Sequence, residues 1–249
     1  MTERSTSQTE LIKAEIRMGA ETIRFSAEIS NEPVHVHDLL PLFQNITNKV
    51  VEIGVKEVEA QGKRISCRSG CGACCSQLVP ISRAEGVALL GHIDAMPTDR
   101  QQTLRERFSR NMDALQAGLL NELEQAVAGN DRMRLREVGL AYFNLKLACP
   151  FLENQSCSIH PVRPLSCREF LVVSDPAYCA KPDPDTVKSV VLPKRVSPIV
   201  YEMCGESDQV GRGFLPLTQL LEKVDELQAE QPAESAVELV KRFLQSLGG

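Results

Sequence analysis

The sequence predicts a mainly α-helical protein: a single helical domain with a small N-terminal β-hairpin and an irregular segment rich in proline and cysteine. Three patterns indicate this class. Apolar residues recur at helical spacing along most of the chain. Apolar and polar residues alternate near the N-terminus, as they do in half-buried strands. Residues 147–205 follow neither period and combine several prolines with five cysteines.

The first predicted elements are a hairpin and a long helix. Residues 14–30 alternate apolar and polar side chains around Gly19, which is typical of two short strands joined by a turn. Asp38 precedes a helical pattern that ends at Gly62. The apolar positions of this pattern are Leu39, Phe43, Ile46, Val50 and Ile53.

The later helices carry start signals of their own. Ser82 and Glu85 form the Ser-x-x-Glu capping box that opens a helix. Asp99 is expected to cap the next one, because its carboxylate can accept a hydrogen bond from the first turn. Helices are expected over residues 99–127, 131–146 and 214–247, the last with a break at Pro232.

Composition and charge exclude several classes of protein. A net charge of −5 argues against general nucleic-acid binding, which needs a basic surface. No run approaches the roughly 18 apolar residues of a membrane span, and the charged N-terminus does not resemble a secretory signal. We therefore expect a cytoplasmic protein without a membrane partner, flexible over residues 1–12 and forming one domain over residues 13–249, with helices 214–247 at its end.

The nine cysteines are the main functional signal. Thiols stay reduced in the cytoplasm, and an odd number excludes a complete disulfide framework. Seven of them form two groups: Cys67, Cys71, Cys74 and Cys75, then Cys149, Cys157 and Cys167. Turn-forming residues beside the second group, Pro150, Asn154, Pro161 and Pro164, let the backbone double back and aim several thiols at one point. Such convergence predicts a metal site.

The spacing leaves the metal open. Structural zinc takes four ligands, usually as two short-spaced pairs, and only Cys71 and Cys74 form a C-x2-C pair. Iron–sulfur clusters also take four thiolates, with looser spacing between families. Seven thiols exceed one four-ligand site. The sequence remains consistent with two sites, with one cluster that shares ligands, or with some cysteines that lie beside the site without ligating.

Two stretches, "SCRSGCGACC" and "CPFLENQSCSIHPVRPLSCREF", resemble the YkgJ-like cysteine-cluster proteins, the CxxCxxCC family described as chelating zinc or iron. The resemblance covers roughly residues 64–170. It implies a bound metal or iron–sulfur centre held by the matching cysteines: Cys71, Cys74, Cys75, Cys149, Cys157 and Cys167. A flagellin lysine methylase has a similar cysteine region and an iron–sulfur cluster, which favours iron. The sequence departs from the family pattern at Cys67, where the spacing to Cys71 is C-x3-C.

Other residues near the cysteines are weaker candidates. Arg163 and Arg168 flank Cys167, where a guanidinium would offset the charge of a thiolate cluster and donate hydrogen bonds to sulfur. Cys179 and Cys204 are isolated and equally consistent with packed thiols, although the turn-rich sequence around Cys179 could fold over the site. The histidines His35, His37 and His160 are expected to be ordinary surface residues.

Several functions therefore remain open. The first is an iron–sulfur protein with a 4Fe-4S cluster held by four thiolates, which serves electron transfer or an enzymatic reaction. The second is a zinc protein whose metal is structural and whose helices bind a partner. The third stores or delivers metal. A nucleophilic-cysteine enzyme is weaker, because only His160 lies close in sequence to a cysteine. The surplus of thiols ranks iron before zinc.

Overall fold

The computed structural model describes residues 9–129, 131–183, 185–205, 213–229 and 232–249. The chain is about 51% helical, with 10 helices over these described residues and a small antiparallel strand pair at the N-terminus. The predicted fold class, mainly α with an N-terminal hairpin, is confirmed. Over the same residues, no helix is both long and apolar enough to cross a membrane.

The N-terminal hairpin is longer than the sequence pattern predicts. Strands β1 (Thr9–Met18) and β2 (Glu21–Ser30) pair antiparallel along their whole length. A two-residue turn joins them, and Gly19 adopts a φ of +61° that glycine tolerates without strain. Residues 9–12 of the expected flexible terminus lie in β1, whereas residues 1–8 lie outside the described residues.

The first long helix follows a single 3-10 turn, Val36–Leu39. Asp38 belongs to that turn, where its carboxylate accepts the His35 N–H at 2.9 Å. Helix α1 (Leu40–Ala60) begins after it and buries Phe43, Ile46 and Val50, as predicted. The other helices are α2 (Arg83–Asp94), α3 (Thr98–Gln116), α4 (Leu120–Ala128), α5 (Arg132–Asn144), α6 (Leu165–Arg168), α7 (Pro176–Cys179), α8 (Ser197–Cys204), α9 (Val224–Gln228) and α10 (Ala236–Gly248).

The helix predicted over residues 99–127 differs in the structure in its continuity and in its N-cap. The helix expected over residues 99–127 is divided into α3 and α4, with Gly118, a poor helix former, at the break. Pro97 occupies the N-cap position of α3, so Asp99 lies in the first turn and does not cap the helix.

The prediction of a helix from residue 214 was wrong over the residues that precede α9. Phe214–Pro216 forms strand β7, which pairs with β4 (Pro80–Ser82), and a 3-10 turn over Leu217–Gln219 follows. All three residues of that turn are buried, including the polar Thr218 and Gln219, whereas an amphipathic helix would expose its polar positions. Two further short pairs are β3 (Pro33–Val34) with β8 (Glu234–Ser235) and β5 (Leu152–Glu153) with β6 (Ser156–Cys157).

Three apolar clusters form the interior. The first joins the hairpin, α1, α8 and α10, and includes Leu165 of α6. The second joins α2, α3 and the segment after β7, with Cys149 and Cys157 packed against it. The third joins the end of α3 to α4 and α5, with Leu78 and Leu147 at its edge. The cysteine segments therefore lie where the three clusters meet.

Candidate metal centre

The first four cysteines lie on a loop that makes two consecutive turns. The Cys71 N–H donates to the Arg68 carbonyl at 3.1 Å, and Gly70 inside this turn has a φ of +81°. The Cys75 N–H then donates to the Gly72 carbonyl at 3.0 Å. These turns keep the four cysteines compact on one loop, which is what the glycines in this stretch permit.

The second segment is attached directly to that loop. The Cys149 N–H donates to the Cys75 carbonyl at 2.6 Å, and the Leu152 N–H donates to the Cys149 carbonyl at 2.9 Å. Leu152 pairs with Cys157 across the β5–β6 hairpin, whose turn residues Asn154 and Gln155 have positive φ. This chain of backbone contacts holds Cys149 and Cys157 beside Cys75.

Cys167 is positioned by a buried carboxylate. Glu85, only 3% exposed, accepts hydrogen bonds from the N–H and hydroxyl of Ser82 at 2.7 and 2.8 Å, so the predicted capping box is present. Its other oxygen accepts the Leu165 N–H at 2.6 Å, at the first residue of α6. Burial raises the pKa of Glu85. The carboxylate thus ties the helix that carries Cys167 to the start of α2.

The thiols of these segments shift one another's pKa values. A hydrogen bond from the Cys75 thiol lowers the pKa of Cys74 to about 7, and the same bond raises the pKa of Cys75. Burial raises the pKa of Cys149 to about 12, with Cys157 and Cys74 adding to the rise. Burial likewise raises the pKa of Cys167, whose neighbours are Cys149, Cys74 and Cys157. Several thiolates cannot coexist here without a cation.

The chain that follows Cys167 contacts the loop at Cys67 and continues into α7, which carries Cys179. The Val172 N–H donates to the Cys67 sulfur at 3.4 Å, and the Ser66 N–H donates to the Val172 carbonyl at 2.9 Å. Cys179 ends α7 and is 5% exposed. Burial raises the pKa of Cys179 to about 11, and the nearby thiols of Cys74, Cys67 and Cys71 add to the rise. The structure therefore brings Cys179 to the predicted site residues.

Cys204 occupies a different environment. Burial raises its pKa to about 11, and its partners are Ala84, Glu85 and Arg83, at the start of α2. The structure thus places eight of the nine cysteines near the loop and Cys204 beside α2.

The two arginines differ in what they contact. Burial raises the pKa of Cys157, and the positive charge of Arg163 partly opposes that rise; the same charge adds to the lowering of the Cys74 pKa by the Cys75 hydrogen bond, so Arg163 lies near both sulfurs. Arg168 is buried, and its guanidinium donates to the carbonyls of Arg163 and Pro161 and to Asn48. It therefore fixes the backbone of the loop that precedes Cys167.

The histidines lie around the periphery. His160 contacts the Arg163 guanidinium at the surface, and burial together with the two arginines lowers its pKa. The rings of His35 and His37 stack with centroids 5.2 Å apart. His37 lines a cavity of about 360 Å³ that reaches Glu85 and Pro164.

The donors fit a soft metal ion or cluster in their chemistry. Thiolates favour zinc and iron–sulfur clusters, and metal binding deprotonates a coordinating thiol. Among the residues that the structure describes, no three or more His, Cys, Asp or Glu side chains lie close enough together to hold a metal ion. Ligation therefore requires the sulfurs to turn toward one another as the thiols lose their protons.

Residues 66–184 match the family model described as "CxxCxxCC: Putative zinc- or iron-chelating domain". The match covers just under half of the chain and includes eight of its nine cysteines, all but Cys204. The resemblance seen in the sequence is confirmed over this segment, whose family description supports metal binding. No curated protein and no solved structure matches the chain.

Proposed function

We propose that the protein holds an iron–sulfur cluster through the thiolates of Cys75, Cys149, Cys157 and Cys167. One observation carries the proposal: these four residues come from three distant chain segments that are joined by backbone and carboxylate hydrogen bonds. Their long spacings suit an iron–sulfur centre better than the paired spacing of structural zinc.

The surroundings of these thiols support a redox or cluster-dependent role. When bound, a cluster of this type takes up and releases single electrons. Cys149 and Cys157 pack against an apolar cluster that limits water at this side of the site. Arg163 supplies a positive charge near Cys157, which offsets the negative charge of a thiolate-bound cluster.

A zinc-binding structural or metal-handling protein is the second candidate. The observation that favours it is the C-x2-C pair of Cys71 and Cys74 on a tight turn, which is the usual half of a zinc site. A zinc ion there would join segments from different parts of the fold. It would stabilise the protein without performing chemistry.

Anaerobic purification followed by iron, zinc and acid-labile sulfide analysis tests the proposal. We expect a brown protein with iron and sulfide in similar amounts. The Cys149→Ser variant is expected to lose both, whereas Cys204→Ser, outside the cysteine cluster, is the matched control and keeps them. A colourless protein with stoichiometric zinc and no sulfide would contradict the proposal and support the second candidate.

We also propose that the protein works in a reducing compartment such as the cytoplasm. All nine cysteines are free thiols in the structure, and metal-binding thiols survive only where they are kept reduced. The net charge of −5 gives no support for nucleic acid as a partner.

A further inference from the structure

The N-terminal hairpin has two open edges. Strands β1 and β2 pair with each other along their whole length, and no other described strand joins their sheet. Along residues 9–29, no described residue outside the hairpin makes a backbone hydrogen bond to either edge. Long unpaired edges are places where a further strand can add to a sheet. The hairpin therefore offers two candidate surfaces for strand pairing.

The two-residue turn determines which backbone groups of β2 face outward. Met18 and Glu21 close the turn, and the closing pair of such a hairpin exchanges both of its hydrogen bonds. Bonded pairs then alternate along the ladder, so the odd-numbered residues of β2 bond β1 through their backbone. The outward-facing N–H and C=O groups belong to the residues that we call the β2 edge: Thr22, Arg24, Ser26 and Glu28.

The inner face of β2 is covered less completely than that of β1. Helix α10 packs under the hairpin, where Ile12 and Ile16 of β1 are buried. In β2, by contrast, Phe25, Ala27 and Ile29 are only partly buried. A strand added at the β2 edge would place its own inner side chains beside these three and remove more of their apolar surface from water. This difference favours the β2 edge over the edge of β1.

The sequence of β2 is complementary to a second copy of itself. In an antiparallel pair, outward-facing residues of the two strands lie opposite each other. When Ser26 lies opposite Ser26 of the second copy, Arg24 lies opposite that copy's Glu28, and two-fold symmetry repeats the pair. The same register sets Phe25 opposite Ala27, so a large and a small apolar side chain meet on the inner face.

Neighbouring registers lack this match. A shift by two residues places Arg24 opposite Ser26 or Ser30 and breaks both ion pairs. The Arg24 guanidinium also contacts the Glu15 carboxylate of β1 at 3.1 Å. In the matched register it would lie between two carboxylates, one from its own hairpin and one from the second copy.

We propose that two copies of the chain pair through the β2 edge and form one four-stranded antiparallel sheet in the order β1–β2–β2–β1. The two-fold axis passes through Ser26, and the symmetric interface closes at two chains. Backbone hydrogen bonds and apolar burial hold the strands together, whereas the exposed ion pairs select the register. The inference does not depend on the metal centre, because the hairpin packs on α10 away from the cysteines.

Size-exclusion chromatography with light scattering of the full chain tests the pairing. We expect twice the chain mass of 27.5 kDa. Glu28→Arg sets like charges opposite each other at both pairs and should weaken association about tenfold or more. Lys13→Glu changes a charge on the β1 edge and is the matched control, which should stay dimeric. A wild type with the mass of one chain, or dissociation by Lys13→Glu, overturns the proposal.

A mixing experiment separates a lost interface from a damaged fold. Arg24→Glu alone sets two carboxylates opposite each other, so this variant should also be monomeric. An equal mixture of Arg24→Glu and Glu28→Arg brings opposite charges together at both pairs, and we expect it to form a dimer of one copy of each. A mixture that stays monomeric contradicts the register, and a single variant that remains as dimeric as the wild type contradicts the β2 edge.

Discussion

Single backbone conformations decide the shape of the cysteine loop. Gly70 lies in the C-x3-C turn with a φ of +81°, and nothing lies within 4 Å of where its Cβ would be. Any penalty for a side chain at this position is therefore conformational. The sequence departs from the family spacing at this turn, where the left-handed glycine lies between Cys67 and Cys71.

Gly70→Ala should reduce the free energy of unfolding by about 1–2 kcal/mol, because an L-residue pays roughly this amount in the left-handed region. Gly91→Ala is the matched control, since Gly91 is equally unobstructed but lies inside α2. There alanine should stabilise the helix by up to about 1 kcal/mol. Urea denaturation of both variants measures the difference, and equal stability of the two would contradict the assignment of strain to Gly70.

In the turn of the β5–β6 hairpin, a glycine is introduced instead of removed. Gln155 has a φ of +62°, which glycine adopts more readily than glutamine. Gln155→Gly should therefore stabilise the protein by up to about 1 kcal/mol, since a glycine at the second turn position is the preferred choice. Gln125→Gly inside α4 should instead cost about 1 kcal/mol. Thermal melting checks both, and a destabilised Gln155→Gly would refute this account of the turn.

At the scale of elements, Glu85 makes one contact that the sequence predicts and one that it does not. The Ser82–Glu85 capping box was readable because capping is local, with a fixed three-residue spacing. The bond from Glu85 to Leu165 joins residues 80 positions apart, and no local pattern encodes it. A related limit explains β7: Phe214–Pro216 is only three residues long, too short for its spacing to distinguish a strand from a helix.

Glu85→Gln should destabilise the protein by about 1–3 kcal/mol. Both carboxylate oxygens accept buried hydrogen bonds, and an amide NH₂ in place of one oxygen leaves a buried donor without an acceptor. The change should also weaken metal retention at Cys167, because α6 loses its tie to α2. Glu124→Gln on the exposed face of α4 is the control, with an expected change near zero. Unaltered stability and metal content in Glu85→Gln would contradict the tie.

The convergence of the cysteine segments was predictable from the sequence for a different reason. The spacing of seven cysteines and the turn residues between them indicated convergence before any element was placed. Cys179 remained ambiguous, because its approach depends on the ribbon formed by Ser66, Val172 and Val190, which is non-local. The donor chemistry was readable from residue types, whereas which thiols approach one another depends on tertiary structure.

The whole molecule depends on the cysteine segments because they connect three apolar clusters. Leu78 and Leu147 pack on the third cluster, Cys149 and Cys157 on the second, and Leu165 on the first. A metal that joins these segments therefore joins the clusters. Without it, apolar packing and hydrogen bonds hold the segments together, and the burial of several thiols opposes their deprotonation.

Removal of the metal by a chelator under reducing conditions should therefore lower the melting temperature of the whole chain. A ligand present at about 1,000 times its dissociation constant stabilises the folded state by roughly 4 kcal/mol, and that contribution is lost in the metal-free protein. Hydrogen exchange should locate the effect. Protection is expected to fall most in residues 62–79 and 149–168, and least in the β1–β2 hairpin and α10, which pack on each other away from the cysteines. Equal loss of protection in the hairpin would mean that the metal supports the fold globally and not through the junction of the three clusters.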